Sequence, residues 1–87
     1  MSPEVAEQAR RKRLNWRVRR GTRELDILFG TWLEESFDGA DPAQQAAFDD
    51  LLGEQDPDLW DWVMGYSRPV RADWQDIIDA IRARHRL

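Results

Sequence analysis

Arg20 and Glu24 stand on either side of Gly21 in the run Arg19-Arg20-Gly21-Thr22-Arg23-Glu24-Leu25-Asp26. A guanidinium presents a planar fork of donors suited to bidentate contact, and a carboxylate accepts N–H groups or pairs with a cation. On one continuous helix the two would form a surface ion pair worth about 0.3–0.5 kcal/mol. Gly21 opens a second reading, because a residue without a Cβ suits the left-handed position that closes a helix. If the chain turns there, Arg20 ends one helix and Glu24 opens the next, and both charges project into the notch between them. Such a corner can recognise a partner's polar surface; a purely structural cap is the alternative account of the same residues.

Elsewhere the chemistry is excluded rather than suggested. The chain has no Cys and a single His, His85, so thiolate metal sites, iron–sulfur clusters and histidine-rich metal sites are ruled out. His85 lies near a terminus with no nucleophile paired to it, which favours an exposed or packing residue, and nothing activates Ser36 or Ser67. Gly21 stands alone, so there is no glycine-rich phosphate loop. Asp49-Asp50 and Asp56/Asp58 read as solvated faces and helix starts rather than as an acid/base pair. No catalytic residue and no metal ligand is assigned, and an independent enzyme is not expected.

The elements that must position the corner follow from caps and periodicity. Eighty-seven residues make one domain, 1–87, near the lower size limit for an unaided core. Five Trp, three Phe and one Tyr offset this with large apolar area per residue. Ser2 and Pro3 start a first helix that nothing breaks before Arg20; its sparse apolar residues imply docking mainly through Leu14 and Trp16. Thr22 caps a second helix, whose Leu25, Leu28, Phe29, Trp32, Leu33 and Phe37 form a core stripe. Gly30 within it costs roughly 1 kcal/mol relative to Ala, and close helix packing is the expected reason, with a kink as second choice. Asp41-Pro42 starts a third helix with Ala47, Phe48, Leu51 and Leu52 inward. Asp56-Pro57-Asp58 starts a fourth with Leu59, Trp60, Trp62 and Val63, closed by Gly65. Trp74, Ile77, Ile78 and Ile81 mark a fifth. With no strand pattern and no repeat, the predicted fold is all-α, a single five-helix bundle.

Charge divides the chain. Residues 1 to 23 carry eight Lys/Arg against Glu4 and Glu7, a net of +6, while residues 24 to 87 carry five Arg against fifteen acids, a net of −10. A basic arm suits nucleic acid or anionic lipid only if the fold keeps its acidic remainder away, and in so small a domain the two are expected to meet. The first helix then reads either as a solvated helix paired with acidic neighbours or as a partner-facing basic surface. No apolar run approaches the roughly 20 residues needed to span a bilayer, and no secretory signal follows Met1-Ser2-Pro3-Glu4, so a soluble protein of the cytoplasm is expected.

The corner also carries a resemblance. Arg20-Gly21-Thr22-Arg23-Glu24 matches the RGxxE motif of the SdhE family, the flavinylation factors of succinate dehydrogenase, and of their mitochondrial counterparts. Trp16, the pair Arg19-Arg20, the continuation Glu24-Leu25-Asp26 and the stretch Asp56-Pro57-Asp58-Leu59-Trp60-Asp61-Trp62 resemble the family pattern in order and spacing, over about residues 13–84. The start of the chain shows no mitochondrial presequence, so a bacterial member is expected. The resemblance implies a five-helix FAD assembly factor that binds the apo flavoprotein subunit of succinate dehydrogenase, or of fumarate reductase. There a histidine of the flavoprotein attacks the 8α-methyl carbon of FAD, and the factor supplies no nucleophile, only orientation of another protein's site. By the same carry-over Arg20, Gly21 and Glu24 would contact the flavoprotein, with Arg19 and Asp26 as neighbours, Trp16 packing behind them and Asp56, Pro57 and Trp60 in support. FAD would be the partner's cofactor, with weak or no binding to this chain, which is expected to be a monomer. Two rivals belong to other classes. A nucleic-acid-binding or antitoxin-like helical module draws on the basic first helix but lacks a recognition helix at helix-turn-helix spacing. A generic adaptor would serve a partner unrelated to flavins.

Overall fold

The Ser2 hydroxyl accepts the Val5 N–H at 3.3 Å and opens α1 (Pro3–Arg17), with Pro3 in the first turn where its missing N–H costs nothing. The computed structural model describes residues 2–87; Met1, the first residue of the expected domain, lies outside them. Four further helices follow: α2 (Arg23–Glu35), α3 (Pro42–Leu51), α4 (Asp56–Met64) and α5 (Ala72–His85), with no strand among the described residues. Thr22 and Asp41 cap α2 and α3 through their side chains, accepting Leu25 N–H at 3.3 Å and Gln44 N–H at 2.7 Å. Gly65 closes α4 in the left-handed conformation at φ 78°, as its position suggests. The predicted all-α bundle is therefore the observed fold.

The core is built from the expected stripes. Leu25, Leu28, Phe29, Trp32, Leu33, Phe37, Phe48, Leu51, Leu59, Val63, Ile77, Ile78 and Ile81 are all buried in one cluster. Phe48 of α3 stacks on Trp32 at 4.4 Å between ring centroids, with Phe29 and Phe37 around it. Such offset aromatic packing gives a small core much of its buried area. Helix α5 runs through the centre of the assembly, packing against α2, α3 and α4, whereas α1 packs chiefly on α2.

Three expectations about α1 and α2 change. Helix α1 ends at Arg17 rather than Arg20, with Val18 as its C-cap. It docks through Leu14 and Val18, both buried, and not through Trp16, which is 67% exposed. The sparse apolar pattern left the docking face undecided, and only Leu14 and Val18, one turn apart, share the side that meets α2. Gly30 has nothing within 4 Å of where a Cβ would stand, so close helix packing is not why it is glycine. Gly30→Ala is accordingly expected to stabilise the fold by about 0.5–1 kcal/mol, measured by urea denaturation; a loss of stability would show a constraint on this residue beyond local space.

Candidate functional site

The chain leaves α1 at Val18 and enters α2 at Arg23 through a short non-helical segment. Gly21 is not in the left-handed conformation; Gly65 is the one glycine with positive φ among the described residues. Because α1 stops three residues early, the reversal is spread over several residues and needs no left-handed residue at the corner. Glycine suits the position for another reason. The Gly21 N–H donates to Asp56 Oδ2 at 2.6 Å, and a Cβ on Gly21 would stand only 2.8 Å from the same oxygen.

Arg20 does not point outward into a notch. Its side chain is 14% exposed and turns in beneath the corner. Nε donates to Asp56 Oδ1 at 2.7 Å; Nη1 donates to the carbonyls of Leu52 at 2.7 Å and Arg17 at 3.0 Å; Nη2 donates to the carbonyl of Glu54 at 2.6 Å. Four of the five guanidinium N–H groups are thus committed within the chain. The Arg20 peptide N–H donates to Asp26 Oδ1. One fork of donors therefore ties the end of α1 to the turn between α3 and α4 and to the start of α4, while Asp26 ties it to α2.

Asp56 is the other half of this brace. It starts the fourth helix, as the Asp56-Pro57-Asp58 run suggests, but as the first helical residue; Gln55 holds the N-cap position without a side-chain cap. The carboxylate is drawn away by two donors, the Gly21 N–H first and the Arg20 guanidinium second, and these hold its pKa below the ordinary carboxylate value. A carboxyl whose folded pKa is depressed stabilises the protein above its unfolded pKa, and that contribution is lost as pH falls through the folded value. In Asp56→Asn, the acid-unfolding midpoint is expected at lower pH relative to that variant's own neutral stability, because the group no longer loses a charge. Acid titration by circular dichroism checks this, and an identical relative acid profile would show that Asp56 does not contribute to acid sensitivity.

The remaining predicted site residues lie around the brace. Glu24 is exposed in the first turn of α2 and makes no ion pair among the described residues. Arg19 is exposed, with its guanidinium 5.5 Å from the ring centroid of Trp16, a cation–π arrangement on the surface. Trp16 therefore stands beside the corner and does not pack behind it. Pro57 and Trp60 of α4 join Thr22, Glu24, Leu25, Asp56 and Asp61 in lining an open groove between α2 and α4. Thr22, Leu25 and Asp61 are not among the residues the sequence assigns to the site. The signal for Asp61 was present, since Pro57, Trp60 and Asp61 share one face of a helix.

The basic face of α1 meets acidic neighbours, as the charge division suggests. Arg13 pairs with Asp49 at 2.6 Å, Arg17 also pairs with Asp49, and Arg11 pairs with Asp38 at 3.2 Å. Arg10 lies over the Phe37 ring at 5.0 Å and donates to Gln45 at 3.4 Å. Among the described residues no group of His, Cys, Asp and Glu is arranged to hold a metal ion, and no helix is long and apolar enough to cross a membrane.

This geometry is contained within the part of the chain that matches known proteins. The profile of a family described as "Flavinator of succinate dehydrogenase" matches residues 12–85. The FAD assembly factor SdhE of Xylella fastidiosa is 40% identical over 81 residues, covering 93% of this chain and 84% of the relative. That of Coxiella burnetii is 37% identical over 71 residues, covering 82% and 87%, and that of Pectobacterium atrosepticum is 34% identical over 76 residues, covering 87% and 86%. All three carry the name of an assembly factor and not of an enzyme. Matched from the middle of α1 to the last residue of α5, with the braced corner inside the match, the chain belongs to the family of succinate dehydrogenase flavinators.

Proposed function

We propose that this protein binds the apo flavoprotein subunit of succinate dehydrogenase, or of the related fumarate reductase, and promotes covalent attachment of FAD to a histidine of that subunit. It acts in the cytoplasm as a monomer. One observation carries the reading: the corner motif and the Asp56–Trp62 segment, 35 residues apart at the Gly21–Asp56 contact, meet in one surface held by a shared hydrogen-bond network. A surface fixed before binding loses little conformational freedom on docking, which suits a protein whose task is to orient another protein's reacting groups. Glu24, Arg19 and Trp16 are the outward-facing members of that surface. Arg20, Gly21, Asp26 and Asp56 shape it from within.

The flavin belongs to the partner in this reading, and the factor holds none stably. The groove beside the corner is open and edged by carboxylates, which disfavours the FAD pyrophosphate. The nucleic-acid alternative has little support, because Arg11, Arg13 and Arg17 already pair with Asp38 and Asp49 and would have to be released to meet phosphates. Co-expression with the organism's own apo flavoprotein tests the proposal. In-gel flavin fluorescence of that subunit is expected to rise when the factor is present under limiting conditions; equal fluorescence with and without it would refute the reading.

A further inference from the structure

The groove between α2 and α4 adjoins the corner but has a chemistry of its own. Its floor is apolar, formed by Leu25, Pro57 and the half-buried Trp60, and its rim carries the carboxylates of Glu24, Asp56 and Asp61. Asp56 is engaged by Arg20 and Gly21. Glu24 and Asp61 make no ion pair or side-chain hydrogen bond among the described residues. Arg20, the partner of Asp56, has its donors committed below the corner, the paired arginines of α1 are held elsewhere by Asp38 and Asp49, and Arg23, beside Glu24 in the chain, is exposed and forms no ion pair with it among the described residues. The groove thus combines an apolar floor with two carboxylates, Glu24 and Asp61, that no cation pairs among the described residues.

We infer that this groove seats a lysine or arginine of a basic segment on the flavoprotein, its stem lying on Trp60 and Pro57 and its cationic end reaching Glu24 and Asp61. The inference rests on the flavoprotein reading above and specifies what that partner must present. A long basic side chain is the one occupant that suits both surfaces, because its methylene stem covers apolar area while its head keeps polar company. A cation also gains from the face of an indole. An acidic segment or a phosphate would meet like charge at the rim. Glu24 belongs to both the corner and the groove, so one partner surface can cover them together. Trp60 is the expected anchor, being a large, rigid side chain already held on one side by the core.

The test is calorimetric titration of the full-length protein into its own organism's apo flavoprotein at two salt concentrations, beside the flavin-fluorescence assay. Glu24→Gln and Asp61→Asn are each expected to weaken binding about three- to tenfold and to flatten its salt dependence, with unchanged circular dichroism and thermal midpoint. Trp60→Ala is expected to weaken it about thirtyfold; Trp60→Phe, which keeps an aromatic floor, should recover most of the loss if the variant is folded. Wild-type binding that both neutralised variants reproduce, or that tightens on neutralisation, would overturn the inference while leaving the function intact. A concentration-dependent dimer lost in Glu24→Gln would also overturn it, by making the basic α1 of a second copy the occupant. Failure of the wild-type protein both to bind the flavoprotein and to raise its fluorescence would refute the functional reading itself.

Discussion

Replacing Arg20 with alanine is expected to lower the unfolding free energy by about 3 kcal/mol, a large effect for a residue in a surface turn. The substitution removes four hydrogen bonds at once and leaves the carbonyls of Leu52 and Glu54 and Oδ1 of Asp56 without the donors they have in the wild type, while Oδ2 of Asp56 keeps the Gly21 N–H. Removing one member of a mostly covered ion pair costs more than the pair contributes, because the other charge keeps its desolvation penalty. In a domain of this size the thermal midpoint should fall by about 10 °C or more. Arg20→Lys should recover only part of the loss, since an ammonium cannot reach a carboxylate and two separate carbonyls with a planar fork. Arg19→Ala is the control: its exposed side chain lies by Trp16 and makes no ion pair or side-chain hydrogen bond among the described residues, and its stability should lie within about 0.5 kcal/mol of the wild type. Urea denaturation of the three variants decides the matter. Equal midpoints for Arg20→Ala and Arg19→Ala would show that the guanidinium does not brace the corner.

Gly21→Val should reduce flavoprotein binding and flavinylation about tenfold or more while the helical circular dichroism persists. A Cβ at Gly21 would stand 2.8 Å from Asp56 Oδ2, closer than nonbonded atoms tolerate, so the carboxylate must shift, at the expense of its bonds to the Gly21 N–H and to Arg20. The valine branch would also stand at the edge of the surface that carries Glu24 and Asp56. Gly21→Asn separates this cause from the left-handed turn suggested by the sequence, because asparagine enters that conformation readily but brings the same Cβ. Both substitutions are expected to impair binding. Full affinity in Gly21→Asn would mean that space at Asp56 is not the limit. A double-mutant cycle with Asp56→Ala should be strongly non-additive, as befits two groups in direct contact.

The parts of the site that were legible beforehand are those whose physical causes act over a few residues. Thr22 and Asp41 announce helix starts because a short side-chain oxygen satisfies an N–H three residues on. The stripe from Leu25 to Phe37 follows from a period that any amphipathic helix must keep. The local sequence leaves Arg20 open between an outward fork and a structural role, because the partners that turn it inward, Asp56, Leu52 and Glu54, lie more than thirty residues away. Trp16 differs from expectation for a related reason: a large aromatic side chain suggests burial, yet the side of α1 that meets α2 is set by Leu14 and Val18.

The sequence by itself determined that the chain is helical, where its first four helices begin to within a residue, which residues form most of the core, and, with no Cys and one His, that it has no thiolate or histidine-rich site. The motif around Gly21 also marked the corner as the place to look. Only the tertiary structure decided what the motif residues do there. It turned Arg20 inward, left Glu24 outside, brought Asp56 under Gly21 and set Trp60 beside Leu25 along the groove. The division follows the range of the forces involved. Caps and periodicity are settled within one or two turns of backbone, whereas the direction of a charged side chain depends on which donors and acceptors the packed helices bring within 3 Å of it.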